Sequence, residues 1–208
     1  VDPSAQTDEL KWDPDGETPD WSDQRNEPPN VKKAAWLSFL EWGILIVSAL
    51  VIALLIKTFL FQAFYIPSES MTPTLLKNDR VLVNKLSYHM HDVHRGDIIV
   101  FKAPPGIDPD VKDLVKRVIG LPGDTIEARA DGHVYINGQK LEEKWLPRGV
   151  RTEIFQPIKV PPESYFVLGD NRGNSKDSRF FPSHFIRKQD IVGRVFLRIW
   201  PLNRLDIL

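Results

Sequence analysis

Ser70 lies in the run Ile66-Pro67-Ser68-Glu69-Ser70-Met71-Thr72-Pro73-Thr74-Leu75, and 46 residues later a single lysine, Lys116, interrupts the apolar run Asp113-Leu114-Val115-Lys116-Arg117-Val118-Ile119-Gly120. Strand side chains alternate between faces, so Lys116 shares its face with Leu114 and Val118. Burial of that face penalises the ammonium and lowers its pKa. Bringing a lysine from about 10.4 to near 7 takes about three units, or roughly 4 kcal/mol. A neutral amine beside a hydroxyl is a general base with its nucleophile, and the chemistry is acyl transfer. On an exposed edge strand the same lysine would only discourage aggregation. Arg117, whose charge cannot be removed, is expected to be the solvent-facing neighbour.

Pro67 and Pro73 bracket Ser70, so its segment is expected to turn sharply rather than form a helix. Such a turn presents a hydroxyl and its own backbone N–H on one side, and acyl transfer needs donors aimed at the developing oxyanion. The Ser70 N–H and the Ser68 hydroxyl are the nearest candidates; a proline-rich turn with two serines also occurs simply as a turn. The polar run Gly169-Asp170-Asn171-Arg172-Gly173-Asn174-Ser175-Lys176-Asp177-Ser178-Arg179 follows an apolar strand. It reads as a solvated loop or as a set of groups that orients a base.

Rival chemistries are weaker. Ser-x-x-Lys, Gly-x-Ser-x-Gly, His-Glu-x-x-His and a phosphate-binding glycine loop are all absent. His89, His91, Asp92 and His94 could ligate a metal, but their spacing fits no familiar zinc pattern. His184 has no orienting acid nearby beyond Asp177 and Asp190. With no cysteine, thiol nucleophiles, thiolate metal sites and a disulfide scaffold are excluded, and a net charge of −1 argues against a nucleic-acid partner.

The elements that must position these groups divide into three parts. Residues 1–33 are acidic and proline-rich, which predicts a disordered tail with Trp12 and Trp21 as its isolated aromatics. Residues 34–57 are expected to form a transmembrane helix: Ala34 to Ile56 would span about 34 Å against a hydrocarbon core of about 30 Å, with Glu41 the only charge. Arg25, Lys32 and Lys33 before it outnumber Lys57 after it, which keeps the N-terminus cytoplasmic. Residues 58–66 suit either an interfacial aromatic segment or a first core strand. From Arg80 onward the pattern is β. Val81 and Val83, Ile98–Phe101, Tyr165–Leu168 and Ile191–Ile199 read as strands. Asp131-Gly132 and Asn137-Gly138 read as tight hairpins. Pro104-Pro105, Pro147 and Pro161-Pro162 are expected to confine the stretches between strands to loops. The fold class is mainly β, a compact antiparallel or mixed domain over residues 58–208.

At these segments the chain resembles the type I signal peptidases, membrane-anchored serine–lysine endopeptidases. The likeness runs from Glu41-Trp42 to Ile199-Trp200-Pro201 through the Ser70 run, Arg95-Gly96-Asp97-Ile98-Ile99-Val100-Phe101, the segment from Lys116 to Asp124, and the Gly169–Arg179 loop. The resemblance implies a single-pass anchor in the cell membrane followed by a β-rich extracytoplasmic catalytic domain with a large apolar surface at the lipid. It implies Ser70 as nucleophile, Lys116 as general base and Ser68 as the oxyanion-hole hydroxyl. Ser175 would hydrogen-bond and orient the lysine, and Asp177 and Arg179 would form a supporting pair. No metal or cofactor is implied, and the partners are the signal peptides of exported preproteins, cut after small residues at −1 and −3. Gly173 stands where many members have Asp, and the absence of a large insertion matches the compact bacterial form. A catalytically inactive, membrane-anchored binding module of the same fold is the alternative. A self-cleaving repressor-type serine–lysine protease is disfavoured by the apolar stretch and by the lack of a preceding DNA-binding segment.

Overall fold

The computed structural model describes residues 31–55, 60–107 and 109–208. The acidic tail expected at 1–33 lies, for residues 1–30, outside them; so do Lys57 and Phe59, and so does the His89 side chain. The described residues divide into two units, with the boundary between Ala49 and Leu50. Helix α1 (Val31–Leu55) crosses that boundary. Its described side chains are Trp36 and residues 39–55, and among the described residues no helix is long and apolar enough to cross a membrane.

The second unit is mainly β, as the sequence predicts. Its larger sheet contains β1 (Phe61–Tyr65), β2 (Arg80–Asn84), β3 (Ile98–Lys102), β4 (Asp113–Gly120), β9 (Ser164–Leu168), β10 (Ile186–Arg187), β11 (Ile191–Trp200) and β12 (Asp206–Ile207). They run in the order β1-β2-β11-β3-β4-β9-β10, with β12 also pairing β11. The smaller sheet contains β5 (Thr125–Ala128), β6 (Val134–Ile136), β7 (Gln139–Lys140) and β8 (Phe155–Lys159) in the order β7-β6-β5-β8. All pairings are antiparallel. A one-turn helix, α2 (Ser87–Met90), joins β2 to β3.

The hairpins follow from local chemistry. Asn137 and Gly138 have φ of 52° and 81°, the pair of positive angles that a two-residue turn needs to match strand twist. β8 contains Pro157 yet is a strand, against the expectation of a loop. It lies at the edge of its sheet, where a missing N–H is tolerated.

Three apolar clusters form the core. One gathers Met71, Leu75, Val81, Val83, Val100 and Val195. A second gathers Ile99, Phe101, Val118, Val167, Phe181 and Ile186. The third joins the two sheets through Ile119, Ile126, Val134, Phe166 and Leu168. β4 sends Val115 to the first, Leu114 and Val118 to the second and Ile119 to the third, so both of its faces are covered. Burying such residues is worth about 1.5–3 kcal/mol for each large side chain, and here it fixes β4 as the strand around which the site is built.

Candidate active site

Ser70 sits in a turn of the loop between β1 and β2. That loop is closed at its base by Ile66 N–H to Asp79 O (2.9 Å) and Asn78 N–H to Ile66 O (2.8 Å). Met71 and Leu75 are 1 % and 0 % exposed, so the chain on the far side of Ser70 is held in the core while Ser70 stays partly open. The turn is tightened by Thr72 N–H to Glu69 O (3.1 Å) and Leu75 N–H to Met71 O (2.9 Å).

Lys116 comes from β4, opposite Ile99 of β3. It is 2 % exposed, and its Nζ donates to Ser70 Oγ at 2.7 Å and to Val115 O at 2.9 Å. Burial lowers its pKa from 10.5 to about 8; the carboxylates of Asp177 and then Asp170 oppose that fall. Ser68 Oγ is 3.4 Å from Ser70 Oγ, a weak contact that keeps the second hydroxyl beside the first. Both line a cavity of about 490 Å³, whose wall near Lys116 is made by Ile107, Val111 and Leu114.

The 169–179 loop lies against the nucleophile turn. Asn171 N–H donates to Ser70 O (3.1 Å), and Asn171 Nδ2 donates to Glu69 O (3.1 Å). A Cβ on Gly169 would stand 2.2 Å from Ser175 Oγ and 2.5 Å from Ser70 O, so only glycine permits this approach. Asp177 and Arg179 form a bidentate pair, Nε to Oδ1 at 2.8 Å and Nη2 to Oδ2 at 2.9 Å, buried on both sides. Asp177 Oδ2 also accepts from Gly169 N–H at 3.0 Å, bracing the start of the loop.

One expectation needs correction. Arg117 is 7 % exposed, not solvent-facing. Its Nε and Nη2 donate to Asp170 Oδ1 (2.9 Å) and Oδ2 (2.6 Å), and Nη1 donates to Gly96 O (2.8 Å). The alternation rule placed it correctly on the opposite face from Lys116, but that face is covered too. Ser175 is near Ser70 O, as the glycine contact requires, but its hydroxyl is buried without a hydrogen-bond partner and makes no bond to Lys116.

Several supporting residues were not foreseen. Thr74 Oγ1 donates to Asp170 Oδ2 (2.6 Å), and Arg198 Nη1 of β11 donates to Thr74 O (2.6 Å). These tie the nucleophile loop to the 169–179 loop and to β11. For Arg198 the sequence signal was a charge inside an otherwise apolar strand. His184 Nδ1 lies 2.8 Å from Ser178 O, engaged with backbone rather than with a serine nucleophile. The His91 and His94 rings lie 5.9 Å apart by centroid, and among the described residues no group of three or more metal-ligating side chains converges.

An amine of lowered pKa touching a half-open hydroxyl, with a second hydroxyl alongside and a cavity of mixed polar and aliphatic lining in front, can carry out acyl transfer. The family description "Signal peptidase, peptidase S26" matches residues 39–200. A signal peptidase I of Leptolyngbya laminosa is 48 % identical over 77 % of this chain and 79 % of its own length. A probable signal peptidase I-2 of Synechocystis is 42 % identical over 82 % of this chain and 78 % of its own. Signal peptidase I P of Bacillus subtilis subsp. natto is 40 % identical over 81 % and 92 %. A crystal structure of a signal peptidase I from Enterococcus faecalis is 35 % identical and covers 50 % of this chain and 97 % of its own, with a TM-score of 0.42. With such identity over most of its length, the chain belongs to the peptidase S26 family of signal peptidases and is a serine endopeptidase.

Proposed function

We propose that this chain removes N-terminal signal peptides from exported preproteins, cutting after small residues at −1 and −3, through an acyl-enzyme on Ser70 with Lys116 as general base. The 2.7 Å approach of the buried Lys116 amine to Ser70 Oγ is the observation that carries the reading. With a pKa of about 8, about one molecule in ten holds the amine neutral at pH 7. In that form the amine takes the Ser70 proton as Oγ attacks the scissile carbonyl. The Ser70 N–H and the Ser68 hydroxyl receive the oxyanion. The lysine then gives its proton to the leaving amine, and a water activated by the same nitrogen releases the acyl group. Asp177 and Arg179 hold the supporting loop. Ser175, with its hydroxyl unpaired, is the group able to turn and accept from the amine while the proton moves.

The apolar wall formed by Ile107, Val111 and Leu114 suits small aliphatic side chains beside the scissile bond. Residues 34–57 act as a single membrane anchor with the tail of 1–33 in the cytoplasm and residues 58–208 across the membrane. Support for the anchor comes from α1, where apolar side chains including Phe39, Trp42, Ile44, Val47 and Leu50 are exposed on every side. A helix apolar all round belongs in hydrocarbon or in a protein core.

The test is a preprotein with Ala at −1 and −3 incubated with wild type, Ser70→Ala and Lys116→Ala, followed by mass measurement of the product. Cleavage at the Ala bond by wild type alone is expected, with both variants reduced at least about 1,000-fold. Equal cleavage by all three would overturn the reading.

A further inference from the structure

Residues 141–147 form the loop that leaves β7 of the smaller sheet, and they touch the support of both halves of the dyad. Leu141 and Trp145 pack on the core between the sheets. Glu143 turns the other way. Its Oε2 accepts from Arg172 Nη1 at 3.0 Å, and its Oε1 accepts from Arg172 Nη2. Arg172 is buried, its side chain only 1 % exposed, and Thr152 Oγ1 (2.5 Å) and Gly169 O (3.1 Å) accept its remaining bonds. Arg179 Nη2 in turn donates to Arg172 O at 2.8 Å. Two residues further along the same segment, the Trp145 ring lies under the Arg117 guanidinium, 4.9 Å from its centre. Arg117 is the immediate neighbour of Lys116 on β4 and the partner of Asp170.

We infer that Glu143 and Trp145 are positioning residues for the dyad, a role that rests on the function proposed above. Glu143 acts through Arg172 on the loop whose Asn171 holds the Ser70 and Glu69 carbonyls, and Trp145 acts through Arg117 on the strand that carries Lys116. The loop after β7 thereby sets the distance between nucleophile and base. Neutralising Glu143 leaves the Arg172 guanidinium buried with only a carbonyl and a hydroxyl. A buried cation without its counter-charge moves toward water and takes its loop with it. Because Asn171 is joined to Ser70 O, that displacement reaches the nucleophile. Catalytic geometry is sensitive at this scale, since a misplacement of about 1 Å can cost about 100-fold.

The experiment measures the rate at which a short activated peptide ester ending in Ala labels Ser70 as the acyl-enzyme, which needs the aligned dyad but no preprotein, alongside preprotein kcat and KM and thermal unfolding. For Glu143→Gln and Trp145→Ala, labelling and kcat are expected to fall about tenfold with KM within about twofold, and Glu143→Asp is expected to recover most of the loss. Ile158→Ala, a substitution in the same inter-sheet core, is expected to lower Tm yet label at the wild-type rate. Wild-type labelling by Glu143→Gln, or a loss that Ile158→Ala reproduces at equal Tm, would overturn the inference. Failure of the wild type to cut preprotein would instead overturn the proposed function, and the labelling rates would still decide the role of Glu143.

Discussion

The Lys116 amine is held in a place that costs stability. With its pKa lowered to about 8 in the folded chain and 10.5 when unfolded, both states carry the proton below pH 8, and there the cost is full. Between 8 and 10.5 only the unfolded chain binds the proton, so stability rises with pH across that window and the cost is gone above it. Lys116→Met is therefore expected to be more stable than wild type by about 3 kcal/mol at pH 7, with the gap closing as pH approaches 10.5. Urea unfolding at several pH values checks this, and a gap constant with pH would contradict it. Ser175 is the second informative residue. Its hydroxyl makes no bond, so Ser175→Ala is expected to change unfolding free energy by less than about 0.5 kcal/mol. A turnover loss in that variant would then report orientation of the lysine and not a weakened fold.

Three chain segments meet at the dyad, and the joints between them are polar and buried. The nucleophile loop rests on Gly169 so closely that Gly169→Ala must push Ser175 and the Ser70 carbonyl apart. We expect that variant to lose about 1–3 kcal/mol of stability and about 100-fold in kcat, measured by denaturation and by turnover at low temperature. Asp170→Asn would strand the Arg117 cation between β4 and the loop, at a cost of about 3–5 kcal/mol, again read from denaturation. These joints are also where sequence reasoning ran out. Strand alternation identified Lys116 as a residue to be buried, but it assumes one wet face. β4 is dry on both, so Arg117 was assigned to solvent when it is the counter-charge of Asp170. Glu143 and Arg172 were illegible for a related reason: each lies in a polar loop, and nothing local marks a pair 29 residues apart.

At the scale of the molecule, the parts legible in the sequence are those set by local pattern. The Asn137-Gly138 turn, the short β-branched strands and the turn between Pro67 and Pro73 all follow from backbone preferences. β8 was missed because Pro147 and Pro161-Pro162 mark the stretch as loop, whereas a strand carrying Pro157 is tolerated at an edge, which is a property of the whole sheet. The anchor belongs to this scale as well. If residues 34–57 cross the bilayer, the full chain expressed in bacterial membranes will resist extraction by alkaline carbonate; release into the soluble fraction would contradict the crossing. Beneath anchor, sheets and loops lies one claim, that the enzyme works when the Lys116 amine is uncharged. The measurement that tests it most directly is kcat/KM for a preprotein between pH 6 and 10. A tenfold rise per pH unit that levels off near pH 8 is the expected result, and a profile flat across that range would contradict it.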